Sequence, residues 1–312
     1  GELAERILRD AEESGDRWAY GMTLTLLASV RLFSGDPTGA LAPSAEAVAI
    51  FRTLGDPDRE RQAAGTEARA LLAAGRVADA FAALDDILTR PGIGIIVGGD
   101  GAVALLPLTA YVQAGAVGRA RQLLDIDLVE TGDRMSGDVI GRGEREVVGG
   151  MALLQSGDVS AALVHLRRGE SSSHTEGERA NACASLALGL AAAGDVEGAL
   201  EMAGRLDSMT VSTYLDRALA RAARGLALVQ AGQADDAREA LAAAVTIVDS
   251  TGDALAQAVY RLAQGHGLDA LGDGDAVKVL AEARGRLEQM GAAAEGWERA
   301  FATAARGAIH TP

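Results

Sequence analysis

The sequence is short of several residue types, and each shortage excludes a class of protein. Cys183 is the only cysteine among 312 residues, so a framework of disulfide bonds is excluded. No stretch approaches the ~18 consecutive apolar residues of a membrane-spanning helix. Residues 1–15 are charged and lack the apolar segment of a secretory signal. Hydrophobic residues nevertheless make up 48% of the chain, which is too many for a disordered protein.

Positive charge is also scarce, and nearly all of it is arginine. The chain has 29 Lys and Arg against 44 Asp and Glu, which gives a net charge of −15, and Lys278 is the only lysine. An acidic surface repels phosphate groups, so we expect no direct binding to nucleic acid or to an anionic membrane. The composition and the single unpaired cysteine favour a cytoplasmic protein.

Glycine, by contrast, is abundant and regularly spaced. Gly15, Gly35, Gly55 and Gly75 follow one another at intervals of 20 residues, and Gly232, Gly252 and Gly272 repeat the interval. Glycine ends a helix in the left-handed conformation without a Cβ penalty, and the Asp that follows most of these glycines can cap the next helix. The spacing therefore predicts helices of roughly 14–16 residues joined by tight turns.

Two such helices form a hairpin of about 40 residues, and seven hairpins account for most of the chain. Their central glycines are Gly35, Gly75, Gly115, Gly157, Gly194, Gly232 and Gly272. Five residues after the first six of these glycines stand Ala40, Ala80, Ala120, Ala162, Ala199 and Ala237. A small residue at this place lets the two helices approach closely, and Val277 replaces it in the last hairpin. Because one hairpin cannot bury its apolar face alone, the hairpins are predicted to stack around a continuous core.

These residues resemble the tetratricopeptide repeat (TPR) family, over about residues 16–290. The Leu-Gly/Ala pair of that family is matched by Leu27-Ala28, Leu186-Ala187 and Gly225, and its first-helix aromatic by Tyr111. The signature Trp is missing, and the period is nearer 40 than the family's usual 34 residues. This longer form is similar to repeats in the C-terminal sensor regions of large bacterial ATP-dependent signalling and transcription regulators. Residues 295–307 look like the tail of the cyclase-linked kind.

The resemblance implies an all-α fold, a right-handed superhelix (α-solenoid) of about seven stacked helix-turn-helix repeats. We expect a single repeat domain over residues 1–312. Within it, 1–15 would be the second helix of a truncated repeat, 16–290 the seven repeats, and 291–312 a C-terminal cap and tail. The incomplete first repeat leads us to expect that the chain is part of a longer polypeptide.

The regular spacing is interrupted at residues 90–101, 130–143 and 169–178. Residues 90–101 carry five glycines, which is compatible either with a phosphate-binding loop or with a long connection between hairpins. The pattern lacks the GxxxxGK[ST] signature, so we favour the connection. Ser171–Ser173 beside His174 lack a fixed base–nucleophile geometry and are interpreted as part of a solvated loop.

Catalytic and metal-binding patterns are missing from the sequence. There is no HExxH motif and no cysteine pair, and Cys183 lies in an apolar helix, where a small buried hydrophobic side chain is expected. We therefore predict no catalytic residue, no cofactor and no metal site.

A binding groove is predicted from geometry instead, because the first helices of stacked hairpins line the concave surface. The side chains expected to face it are Arg69, Thr109, Gln113, Met151, Gln155, Asn181, Gln230 and His266. They would suit the recognition of amide or hydroxyl groups; the alternative is that they merely solvate an open groove. The Lys/Asn/Arg clamp by which family members grip a C-terminal carboxylate has no counterpart here.

The sequence thus supports two hypotheses on function. The first is a non-enzymatic sensor or interaction arm of a larger cytoplasmic signalling ATPase, with a protein or a small-molecule effector in the groove. The second is a freestanding scaffold that recruits an extended peptide or a helix of a partner protein. Nothing in the sequence predicts an oligomeric state.

Overall fold

The computed structural model describes residues 2–89, 102–131 and 142–307, and the fold of these ranges is all-α, as predicted. They form sixteen helices and contain no strand. The helices are α1 (Glu2–Ser14), α2 (Arg17–Phe33), α3 (Pro37–Leu54), α4 (Pro57–Ala73), α5 (Val77–Thr89), α6 (Ala102–Gln113), α7 (Val117–Thr131), α8 (Arg142–Ser156), α9 (Val159–Ser171), α10 (Glu176–Ala193), α11 (Val196–Leu206), α12 (Tyr214–Gln230), α13 (Ala234–Asp249), α14 (Ala254–Ala270), α15 (Ala276–Met290) and α16 (Glu295–Arg306).

The chain divides into two compact units, which are described separately. The first comprises Gly1–Val97 with Thr251–Leu255, and the second comprises Gly98–Ser250 with Ala256–Pro312. The irregular segment 90–101 and most of the segment 130–143 lie outside the described residues. The segment 169–178 is described: α9 ends in it at Ser171 and α10 begins in it at Glu176. Among the described helices, none is both long enough and apolar enough to cross a lipid bilayer.

The predicted helix ends are confirmed by backbone geometry. All seven central glycines of the hairpins have a positive φ, between 69° and 95°. Aspartates begin the following helices as expected, because their Oδ1 atoms accept the N–H three residues later. Such caps are made by Asp16, Asp36, Asp56, Asp158 and Asp195, at N···O distances of 2.9–3.1 Å.

The small residues predicted early in each second helix are also confirmed as buried. Ala40, Ala80, Ala120, Ala162, Ala199 and Ala237 all have 0% of their surface exposed. The last hairpin differs by one position: Val277 is 77% exposed, and Ala276 is buried instead. The turn between Gly272 and α15 is two residues longer than the turn between Gly232 and α13.

Glycines in the first helices complete this close approach in the second unit. A Cβ on Gly225 would lie 2.6 Å from Leu241 Cγ, and one on Gly150 would lie 2.7 Å from Leu166 Cγ. Both glycines stand seven residues before the central glycine of their hairpin. The second-helix leucine therefore packs directly on the backbone of the first helix.

Each unit has its own apolar core. In the first unit, Leu24, Ile50 and Phe51 pack with small alanines of α3 and α4. In the second unit, the first helices α6, α8, α10 and α12 contact one another in chain order, and each packs on its own second helix. The C-terminal helix α16 belongs to no hairpin; it packs on α8, α10 and α12.

Candidate interaction surface

Helix α16 buries one face and exposes the other. Gly296, Ala300 and Ala304 follow one another at intervals of four residues, and all three are buried. Trp297 and Phe301 lie beside them, with 8% and 0% of their surfaces exposed. The two rings stack, with centroids 5.3 Å apart. A stripe of small residues lets the helix approach its neighbours closely, while the two aromatic rings supply most of the buried apolar area.

The opposing surface is built from the C-terminal ends of α6, α8, α10 and α12, which we call the α16-binding surface. Carbonyl groups at a helix C-terminus have no partner within the helix. Trp297 Nε1 donates to Gln113 O at 2.9 Å, and Arg299 Nη1 donates to Gln155 O at 2.8 Å. The Arg299 charge also lies at the negative end of the α8 dipole, which favours this arrangement. Side chains of α16 thus satisfy the last carbonyls of two first helices.

Contact between α16 and this surface is close enough to require glycine on both sides. A Cβ on Gly115 would lie 2.2 Å from Ala293 O, and one on Gly296 would lie 2.7 Å from Val117 Cγ2. Neither position has room for a larger residue unless the helix moves away. The fit of α16 is therefore steric as well as apolar.

Two of the predicted groove glutamines join neighbouring hairpins. Gln155 Nε2 donates to Val112 O at 2.9 Å, and Gln230 Nε2 donates to Ala191 O at 2.7 Å. Each glutamine stands two residues before the central glycine of its own hairpin. Each acceptor residue stands three residues before the central glycine of the preceding hairpin. The side-chain amide of this recurring glutamine thus forms a hydrogen bond between consecutive first helices. Gln230 Nε2 also donates to Ala304 O of α16 at 2.6 Å.

Asn181 makes a similar connection at the other end of the first helices. Its Nδ2 donates to Asp216 Oδ1 at 3.1 Å, and Asp216 in turn caps α12 together with Thr213. Asp216 is only 4% exposed, so this polar group lies inside the interface between α10 and α12.

The remaining predicted residues lie at several depths. Thr109 and Gln113 are half-buried on α6, and Met151 is 5% exposed on α8. Arg69 of α4, in the first unit, lies with its guanidinium 5.1 Å from the centre of the Phe33 ring. His266 on α14 is 9% exposed, and its Nε2 has no hydrogen-bond partner among the described residues. The structure thus brings Gln113, Gln155 and Gln230 to one surface; binding of a partner by any of these residues stays a prediction.

Burial governs the ionisation of His266. Loss of solvent lowers its pKa, while the carboxylates of Glu298 and Asp269 act in the opposite direction and the guanidinium groups of Arg284 and Arg306 add to the lowering. These charges come from α14, α15 and α16. Burial therefore disfavours the protonated form of this imidazole.

The structure also shows the surroundings of the Cys183 thiol and of the His165 imidazole. Cys183 is fully buried, as predicted, and burial raises the pKa of its thiol. His165 Nδ1 lies 2.7 Å from Glu146 Oε2, which joins α9 to α8. Within the described ranges, no group of three or more His, Cys, Asp or Glu side chains could hold a metal ion. The prediction of a protein without catalytic residues, cofactor or metal stays a prediction.

The first unit exposes an apolar stripe on its own first helix, α2. Leu26, Val30 and Phe33 are 52%, 37% and 47% exposed, and their spacing places them on one helical face. Large apolar side chains grouped on a surface mark interaction sites more often than single exposed ones do. The sequence pattern places Arg69 and Phe33 on the first-helix rows expected to face the groove, but it does not single out Leu26 and Val30.

Sequence reasoning also missed the role of α16. The sequence predicts that residues 291–312 form a cap and tail, but it does not predict which helices they contact. The signal was present in the small residues at intervals of four and in Trp297 and Phe301, two of the few aromatic residues of the chain. No protein-family model matches the chain, and no curated protein matches it.

Proposed function

We propose that the chain is a non-enzymatic interaction module of the tetratricopeptide type, a superhelical solenoid of about seven hairpins whose first helices recognise a partner. The observation that carries the proposal is α16 itself: a helical segment lies across the ends of consecutive first helices in the second unit. A surface that binds one amphipathic helix has the geometry for helix-in-groove recognition.

A protein partner is favoured over a small-molecule effector. In the first unit, α2 offers the exposed apolar side chains of Leu26, Val30 and Phe33. An open apolar stripe of this kind suits a polypeptide, since it buries too little of a small ligand. A small effector remains the second candidate because the half-buried Thr109 and Gln113 offer polar groups on α6.

The resemblance to sensor regions supports a wider role. In that role the module is an arm of a larger cytoplasmic signalling or transcription-regulatory ATPase, and partner binding biases the attached switch. The alternative is a freestanding scaffold without a switch. The reading frame upstream of residue 1 separates the two, because a nucleotide-binding module directly before it supports the first.

Native mass spectrometry of the chain, purified gently from its own source, tests the proposal. We expect a retained polypeptide whose amount falls in a Phe33→Ala, Arg69→Ala chain. A retained mass of a few hundred daltons would replace the protein partner by a small effector. If the chain turned over any substrate, and replacement of one acidic residue abolished that turnover, the non-enzymatic assignment would be overturned.

A further inference from the structure

The α16-binding surface holds together by contacts that do not involve α16. Gln155 joins α8 to α6 and Gln230 joins α12 to α10 through side-chain bonds to main-chain carbonyls. The first helices also pack on their own second helices. The surface therefore has contacts of its own that would remain without α16, and binding sites are usually largely preformed.

Helix α16 is, in turn, held mainly by its buried apolar face, and its polar attachments are few. Its polar bonds to the surface use Trp297, Arg299 and Gln230. Ion pairs of Glu298 with Arg284 and of Arg306 with Asp269 are partly exposed, and such pairs contribute little. Removal of α16 would leave helix-end carbonyls that water can satisfy. A second helix with the same buried face could make all of these contacts.

We propose that the α16-binding surface is a receptor for an amphipathic helix of a partner protein, and that α16 occupies it in cis until that helix displaces it. This inference deepens the proposed function and rests on it. The partner helix carries small residues at the places of Gly296, Ala300 and Ala304, and aromatic residues at the places of Trp297 and Phe301. An arginine at the place of Arg299 reaches the end of α8.

Steric fit gives the receptor its selectivity. A Cβ at position 296 would lie 2.7 Å from Val117 Cγ2 and 3.1 Å from Gly115 O. A helix with a large residue at this place cannot come close enough for its aromatic rings to be buried. The receptor therefore distinguishes helices by one small position as well as by their two rings.

The test uses a labelled peptide with the sequence of residues 291–307 and the full chain. We measure fluorescence anisotropy with the wild-type chain and with a Trp297→Ala, Phe301→Ala chain, in which α16 is weakened. Because α16 is tethered at a high effective concentration, we expect the peptide to bind the variant chain about 100-fold more tightly than the wild type. A peptide with Gly296→Leu is the matched control and should not bind either chain.

A second chain keeps the test decisive if the double variant does not fold. A protease recognition sequence inserted after Gly291, which is exposed, allows α16 to be cut from the otherwise unchanged protein. We expect native mass spectrometry to show the cut segment replaced by the labelled peptide. A segment that stays bound in a large excess of peptide would identify α16 as a permanent part of the core and overturn the proposal.

The possible outcomes separate this inference from the proposed function. The receptor would be overturned if the Gly296→Leu peptide bound as well as the wild-type peptide, or if the wild-type peptide did not bind a folded variant chain. A polypeptide retained in the native mass spectrum would still support the proposed function in that case. Specific exchange of the peptide supports the receptor, even where the native spectrum shows a small effector rather than a protein.

Discussion

Single side chains decide how closely neighbouring helices approach in this protein. The backbone of α12 at Gly225 is in contact with Leu241 of α13, and the buried alanines of the second helices face the first helices in the same way. Small residues at these places were predictable because they recur at a fixed distance from the central glycines. Their energetic effect depends on which atoms lie opposite.

Replacement of Gly225 by alanine should destabilise the protein. The added Cβ would lie 2.6 Å from Leu241 Cγ and 3.2 Å from Ala237 O, so the helices must separate. Overpacking of this kind costs about 1–3 kcal/mol, which exceeds the gain of up to about 1 kcal/mol in helix propensity.

Gly285→Ala is the matched control, because a Cβ there meets no atom within 4 Å. In urea unfolding, we expect Gly225→Ala to lower the free energy of unfolding and Gly285→Ala to raise it by about 0.5–1 kcal/mol. Equal effects of the two substitutions would contradict the close contact of α12 and α13.

His266 should make stability depend on pH. Its pKa in the folded protein lies below the unfolded value of about 6.5 because the imidazole is buried. As the pH falls below about 6.5, the imidazole of His266 binds a proton more readily in the unfolded chain than in the folded chain. The free energy of unfolding therefore decreases by up to about 1.4 kcal/mol per pH unit, until the folded state is protonated as well.

Urea unfolding between pH 7 and pH 5 measures this slope (about one unit on either side of the ordinary histidine pKa). His266→Leu should reduce it, whereas His174→Gln should not, since His174 is exposed. An unchanged slope in the His266→Leu chain would show that this imidazole is solvated.

Helices are the next scale, and α16 is the element whose contacts the sequence did not reveal. Its pattern shows that one face is buried, but Trp297 and Gln113 are 184 residues apart. Periodicity reports burial and not the identity of the neighbour, so the place of α16 could not be predicted. The glutamine positions show the same limit: their recurrence two residues before the central glycine is visible in the sequence, whereas their bonds to the preceding helix needed coordinates.

Phe301→Ala should loosen α16. The ring is fully buried, and loss of such a side chain costs about 3–5 kcal/mol. We expect the amide hydrogens of α16 to exchange faster with solvent, as seen by mass spectrometry.

Val164→Ala on α9 is the control for this substitution, because Val164 is 50% exposed and its loss should change stability by less than about 0.5 kcal/mol. If both substitutions left exchange in α16 unchanged, Phe301 would not hold this helix in place.

At the scale of the whole molecule, the two tryptophans report on different units. Trp18 lies in the first unit and is 44% exposed, whereas Trp297 lies in the second and is 8% exposed. Trp18→Phe and Trp297→Phe therefore give chains whose fluorescence follows the unfolding of one unit each. Stacked hairpins are stabilised mainly by their nearest neighbours, so a local change should be felt locally.

Ala162→Leu tests this property. The side chain at 162 has 0% exposure, and overpacking there should cost about 1–3 kcal/mol. We expect the urea midpoint of the Trp297 signal to fall and that of the Trp18 signal to change less. Ala242→Leu, at an exposed site, should alter neither. Equal shifts of both signals would mean that the whole chain unfolds as one cooperative block.

The attachment of α16 at both ends has a mechanical consequence. The helix is a rod about 18 Å long, from its twelve residues. One end is bonded to α6 through Trp297, and the other to α12 through the bond from Gln230 Nε2 to Ala304 O. Hairpins that pack in sequence are restrained mainly by their nearest neighbours. A rigid helix that also joins α6 to α12 restrains hairpins that are not consecutive, so release of α16 would let the ends of these first helices move relative to one another.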